Sequence, residues 1–238
     1  MPVSLSDQAK PPPRTPPQTP RPQLISIITV ALFGLLIGIA AQELRWRWSA
    51  TVPESQLTQA EHAFRAGDDP AAAKLFDALA DKNNSTAQYW LGHLTELGLG
   101  VPRDPTKAID LYKKAAEQNV DAAELRLGEI YLDGNLVPPD FTQAKTYLEK
   151  SAYQGNPRAA MLLGQMYRVG TGVKADPIEG YAWSEVATLE GNTFAERERD
   201  ASFRDLSADD QKVAIVRAQE ILKTAKSETA APKVPNSK

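Results

Sequence analysis

Three consecutive segments of this chain, 85–120, 121–156 and 157–192, align without a gap at a period of 36 residues. Gly92 returns as Gly128 and Gly164, and Gly98 as Gly134 and Gly170. Val101 keeps step with Val137 and Val173, and Asp104 with Asp140 and Asp176. A fixed period of this length constrains the fold more than any other feature. Each copy is one supersecondary unit that can bury its apolar face only against the next copy.

Within a unit the residue types dictate two helices and a pinned turn. Ala87, Leu91 and Leu94 fall at i, i+4 and i+7, one stripe of a first helix. Gly92 sits inside that helix, where glycine costs about 1 kcal/mol against alanine. Its return in every copy marks a close approach of a second helix, with Ala108, Ala144 and Gly180 as the small residues expected opposite. Gly98 ends the helix by entering the left-handed conformation, and Val101 holds the loop down. Asp104 then caps the second helix, with Pro105 at its first position, and Asp176-Pro177 repeats the device. Asn119, Gly155 and Gly191 close the second helices.

Leu91-Gly92, the loop Gly98, Gly100, Val101, Asp104 and the ending Tyr112 to Asn119 ("YKKAAEQN") resemble the Sel-one-like repeat, a relative of the tetratricopeptide repeat. The resemblance covers 85–192 and implies an all-α fold, an α-solenoid of helix-turn-helix repeats used as a protein-binding scaffold. Two departures stand out. Leu136 replaces the second loop glycine of the middle copy and Pro138-Pro139 follow, so that loop is expected to take a different path. In the last copy "YAWSEVATLEGN", with Trp183, replaces the alanine-rich ending, as in a unit handing over to a cap.

The flanks behave as terminal units. Residues 54–84 keep the register, with Asp68, Ala72, Leu75, Phe76 and Ala80 lying 36 before their counterparts, but the loop is cut to "AGDDP": a degenerate opening repeat. Residues 193–225 read as two capping helices, the second with Ser207 as N-cap and Asp209 and Asp210 in its first turn. Residues 226–238 read as a disordered tail.

The N-terminal region is of another kind. Residues 1–23 hold eight prolines and almost nothing apolar, a composition that stays extended and disordered. Leu24 to Ala41 is a run of eighteen uncharged, mostly apolar residues, about 27 Å as a helix and close to the hydrocarbon thickness of a bilayer. One transmembrane helix is therefore expected over 24–41. An interfacial linker, 42–53, follows, in which Trp46 and Trp48 alternate with Arg45 and Arg47. Gly34 and Gly38 form a small-xxx-small step suited to helix–helix contact in the membrane. Lys10, Arg14 and Arg21 before the helix, against Arg45 and Arg47 after it, favour a cytoplasmic N-terminus and a periplasmic repeat domain on an inner (cell) membrane. Together with the repeat, this points to a membrane-anchored bacterial type. A secreted, soluble solenoid released after signal cleavage is the alternative, since Gly38 and Ala40 offer a cleavage site.

Chemistry is thinly represented. The chain has no cysteine, which removes disulfides, thiolate zinc sites and cysteine nucleophiles. Its net charge is −3. From Ser49 onward it carries 22 basic residues (27 less five) against 28 acidic (30 less two), opposite to the basic face that nucleic acid requires. His93 and Glu96 lie three apart, the reverse of the Glu-x-x-His order of paired-helix metal sites. Asp104, Asp140 and Asp176 are explained as caps. No catalytic, cofactor or metal site is assigned, and the expected role is protein binding on the concave face: a scaffold, or an accessory subunit of a membrane-associated complex. Beside the buried stripe on successive first helices lie Trp90 and His93, Arg126 and Glu129, and Leu162 and Gln165, the candidate partner-binding residues. Trp90 has two readings, an exposed anchor or packing against the opening repeat.

Overall fold

The computed structural model describes residues 55–230, and within them the backbone is helix and turn with no strand. Ten helices follow one another: α1 Gln56–Arg65, α2 Asp69–Ala80, α3 Ser85–Leu97, α4 Pro105–Ala116, α5 Asp121–Asp133, α6 Phe141–Tyr153, α7 Pro157–Val169, α8 Pro177–Leu189, α9 Ala195–Asp205 and α10 Ala208–Ala230. The Pro-rich segment, the apolar run 24–41 and the linker lie outside the described residues. Among the described residues no helix is long and apolar enough to cross a membrane.

Each helix packs on its neighbours in the chain: α3 on α4, α4 on α5, α5 on α6, and so on to α9. Such nearest-neighbour packing is what defines a solenoid. Its core falls into successive clusters rather than one centre. Phe76, Ala87, Leu91 and Leu94 form the first, Tyr112, Leu127, Ile130 and Ala144 the second, and Leu148, Leu163, Met166 and Trp183 the third. The last helix departs from the order and packs on α8 and α6, both second helices, burying Ala214, Ala218, Ile221 and Ala225.

Side chains and glycines set the boundaries as expected. Asp68, Asp104, Asp140 and Asp176 each accept a backbone N–H of the second helix they precede, Ala71, Lys107, Gln143 and Glu179 respectively, at 3.0–3.2 Å. Asn84 and Asn156 cap α3 and α7, whereas α5 follows Val120 and has no side-chain cap. Gly98, Gly134 and Gly170 are left-handed at φ 75, 68 and 83°. In every copy the cap aspartate's own N–H then closes the loop onto a first-helix carbonyl, that of Thr95, Tyr131 or Tyr167.

Inside that common closure the middle loop does differ. Gly100 and Gly172 both sit at φ +67°, pressed on Asp69 and Phe141 of the preceding second helix. Leu136 is not among the residues with positive φ, and its side chain packs into the second core cluster.

Two expectations are modified. Ala108 and Gly180 do face Gly92 and Gly164, through their carbonyls at 3.4 and 3.1 Å from an added Cβ, but the nearest atoms in every copy belong to the residue one turn further on. A Cβ on Gly92 would meet the Tyr112 ring at 2.9 Å, one on Gly128 the Leu148 side chain at 2.7 Å, and one on Gly164 the Ser184 hydroxyl at 2.5 Å. Cα–Cβ bonds tilt toward the helix N-terminus, so the residue at i+4 covers the turn beside residue i. Second, α10 runs on to Ala230, beyond the expected end at residue 225. Lys, Glu and Ala in this stretch favour helix, and the first proline after it is Pro232.

Gly164 faces backbone as well, with the Gly180 carbonyl and Ser184 nitrogen at 3.1 Å from an added Cβ. Gly164→Ala is therefore expected to cost about 1–2 kcal/mol net, overpacking outweighing alanine's helix preference. Gly128→Ala, opposed mainly by a leucine side chain that can turn, should cost less. Guanidinium unfolding of the two variants checks the order.

Candidate functional site

The six candidate residues occupy two equivalent positions on α3, α5 and α7, and the structure gives each pair a different environment. Trp90 is half-buried among aromatic rings, 5.0 Å from Phe64, 6.3 Å from Phe76 and 5.2 Å from Tyr89 between centroids. Of its two readings, packing against the opening repeat is the one observed. His93 lies beside it at 6.1 Å and edge-on to Phe64. Burial lowers its pKa, partly opposed by the nearby Glu96 carboxylate.

Arg126 and Glu129 are engaged within the chain. Arg126 reaches back to α3, where Nε donates to Glu96 Oε2 at 3.0 Å and Nη2 bonds Oε1, and its Nη1 meets Glu129 Oε2 at 3.1 Å. Glu129 Oε1 in turn accepts from Arg158 Nε of α7 at 2.5 Å. Tyr112 of α4 donates its hydroxyl to Glu96 Oε2 at 2.8 Å. A continuous polar chain, Tyr112–Glu96–Arg126–Glu129–Arg158, thus ties three successive first helices together.

Glu96 is the buried centre of this chain, 5% exposed. Burial by itself would push its carboxyl up, but the hydrogen bonds from Arg126 and Tyr112 prevail and hold it below the ordinary glutamate value. The same contact raises the pKa of Tyr112, through burial first and the Glu96 charge second, and raises that of Arg126. The arrangement orients these side chains and joins the helices that carry them.

Leu162 and Gln165 behave differently again. Gln165 Nε2 donates to Glu198 Oε1 of α9 at 3.0 Å, the third polar link between first helices. Both residues also line an open groove of about 490 Å³ with Leu132, Met166, Arg168 and Val169. A second cleft, of about 440 Å³, lies near the second-helix ends and is lined by polar groups, among them Asn83, Gln88 and Gln118. Those three amides already hydrogen-bond to one another.

Among the described residues no group of three or more His, Asp or Glu is placed to hold a metal ion. His93 and Glu96 project into separate contacts, and Asp104, Asp140 and Asp176 are caps. Sequence reasoning weighed Glu96 only beside His93 as a metal pair and read Tyr112 only as a repeat position, so their meeting was missed. The available signal was the break in the repeat at Glu96, whose counterparts are Leu132 and Arg168.

Comparison with known proteins agrees with this geometry. The Sel1 repeat model matches residues 85–120, 121–156 and 157–192, the three copies of the 36-residue period. The crystal structure of a Sel1 repeat protein from Oxalobacter formigenes is similar, at 27% identity and a TM-score of 0.59, with 73% of each chain covered. So is that of c5321, a protective antigen present in uropathogenic Escherichia coli strains that displays an SLR fold, at 26% identity and a TM-score of 0.50. That alignment covers 71% of this chain and 44% of c5321, so the present chain spans less than half of that relative. No curated protein matches the chain.

Because the Glu96 carboxyl is held low in the folded chain, its contribution is present above about pH 4.5, its ordinary value, and fades as pH falls through the folded value. The stability difference between the native chain and Glu96→Gln should thus be largest near neutrality and shrink on acidification. Glu96→Ala, which strands the Tyr112 hydroxyl and half of the Arg126 fork, should cost about 2–3 kcal/mol, since Arg126 keeps Glu129. Urea titrations at several pH values measure both.

Proposed function

We propose that this chain is a membrane-anchored protein-binding scaffold, or an accessory subunit docked on a membrane-associated complex, working through the first-helix face of its Sel1 repeats. The Sel1 solenoid is generally a protein-interaction module. The observation that carries the reading is the difference between copies at equivalent positions: an aromatic pair at Trp90 and His93, an ion pair at Arg126 and Glu129, and a groove at Leu162 and Gln165. The first two are taken up by packing and by joining copies, and the groove is the one left open to a partner. The capping helix α10 packs on second helices, which favours the first-helix side as the working face. Binding rather than catalysis is the reading, since the polar groups there are spent on joining helices.

Placement follows from Leu24 to Ala41, read as an uncleaved anchor that leaves the repeat domain on the periplasmic side of an inner membrane, with Gly34 and Gly38 available for helix–helix contact. Release as a soluble adaptor after cleavage near Gly38 and Ala40 is the second reading.

Expressed in full in a bacterial host, the chain should stay with membranes through alkaline carbonate extraction, and a form lacking residues 1–48 should not. A chain beginning near residue 41 and found in the soluble fraction would establish the second reading instead. A reporter fused after Lys238 should be active in the periplasm; activity only in the cytosol would reverse the orientation.

A further inference from the structure

The 36-residue register extends into the cap, and it exposes a pair of charges with their signs exchanged. Glu96 on α3 is equivalent to Arg168 on α7, and Arg126 on α5 to Glu198 on α9, each two periods on. At the α3–α5 step the two charges meet and both carboxylate oxygens are bonded. At the α7–α9 step they do not meet. Glu198 binds Gln165 through Oε1, while its Oε2 is buried without a hydrogen-bond partner, as is the Ser202 hydroxyl one turn further along α9. Arg168 is exposed and takes part in none of the ion pairs formed among the described residues.

Arg168 also stands in the groove of about 490 Å³, and it is the single charged residue of its lining. The other walls are Leu132, Leu162, Met166, Val169, Gln165 and Thr171, and Val169 is 64% exposed. We propose that this groove receives a protein segment carrying a carboxylate beside an aliphatic or aromatic side chain. The carboxylate meets the Arg168 guanidinium and the apolar side chain rests between Leu132, Leu162 and Val169. A guanidinium pairs best with a carboxylate, through two parallel hydrogen bonds, and aliphatic walls favour an apolar neighbour. The earlier arginines on this face, Arg126 and Arg158, are already neutralised by Glu96 and Glu129. Among the described residues of α3, α5 and α7, that leaves Arg168 as the arginine outside any ion pair, and makes an acidic segment a better fit than a basic one. The proposal rests on the scaffold reading and sharpens it to one subsite and one partner chemistry.

The test places a photo-crosslinking benzophenone residue at Gln165 or, separately, at His93, in the full chain within bacterial cells, and sequences the crosslinked peptides. Peptides captured from position 165 are expected to carry Asp, Glu or a C-terminal carboxylate within two residues of a Leu, Ile, Val or Phe. Arg168→Glu should reduce that adduct at least tenfold without changing adducts from position 93 or the melting temperature. Reversing the partner's acidic residue to lysine should restore it. An adduct that survives Arg168→Glu, or peptides that are basic, would overturn the proposal. Adducts from position 93 with none from 165 would sink this subsite and leave the scaffold reading standing, whereas none from either position would remove both.

Discussion

The stack depends on one contact made three times: a first helix lying against its own second helix at a glycine. At Gly92, Gly128 and Gly164 a Cβ would stand 2.5–2.9 Å from the facing side chain, closer than real Cβ contacts occur. Removing it lets the two helices approach and lets Tyr112, Leu148 and Ser184 fill the space. The rest of the unit is arranged around that approach. A left-handed glycine must stop the first helix within reach, and an aspartate must restart the chain at the right place to return antiparallel. The aspartate serves twice, its side chain capping the new helix while its own N–H ties the loop to the old one. Repetition then follows from burial, since a helix pair alone leaves an apolar face that only another pair covers.

Along the first helices the copies are joined by polar links that do not repeat. Glu96 with Arg126, Glu129 with Arg158, and Gln165 with Glu198 bridge successive steps, the first two as carboxylate–guanidinium pairs set at different positions of the repeat and the third as an amide on a carboxylate. The apolar contacts alone would tolerate exchange of one copy for another, because they are nearly the same in each. A buried carboxylate that finds its cation only at one neighbouring position penalises such exchange, as an uncompensated buried charge is expensive. On this view the ionic chain on α3, α5 and α7 fixes the order of the copies more than it raises their stability.

Much of this was legible in the sequence because it is local and periodic. The helix pairs, the left-handed stops at Gly98, Gly134 and Gly170, the aspartate caps and the shortened opening unit all follow from residue types at fixed spacing. So does the altered middle loop, where leucine cannot take the φ +67° of Gly100 and Gly172. What escaped depends on direction and on partners from other units. The glycine contact was displaced by one turn because side chains lean toward the helix N-terminus. Trp90 carried two readings until Phe64 and Phe76 were placed around it. Glu96 was weighed only with His93 as a reversed metal pair, and only the meeting of α4 and α5 beside it made it the centre of a buried network. The extra turn of α10 was missed because nothing stops a helix there before Pro232.

These two classes of contact divide the labour on the first-helix face. Side chains that join copies, such as Arg126 and Glu129, lose affinity for anything else, because freeing them would leave Glu96 or Arg158 without its counter-charge. Side chains that finish the core, such as Trp90, are held by rings on three sides. Recognition therefore has to draw on residues that satisfy neither demand, and these concentrate where the stack gives way to its cap and the register no longer supplies a partner. At the α7–α9 step a glutamine takes the place of an arginine, and an arginine is left facing a groove of leucines. The same loss of periodicity that ends the solenoid is what leaves a surface with a chemistry of its own.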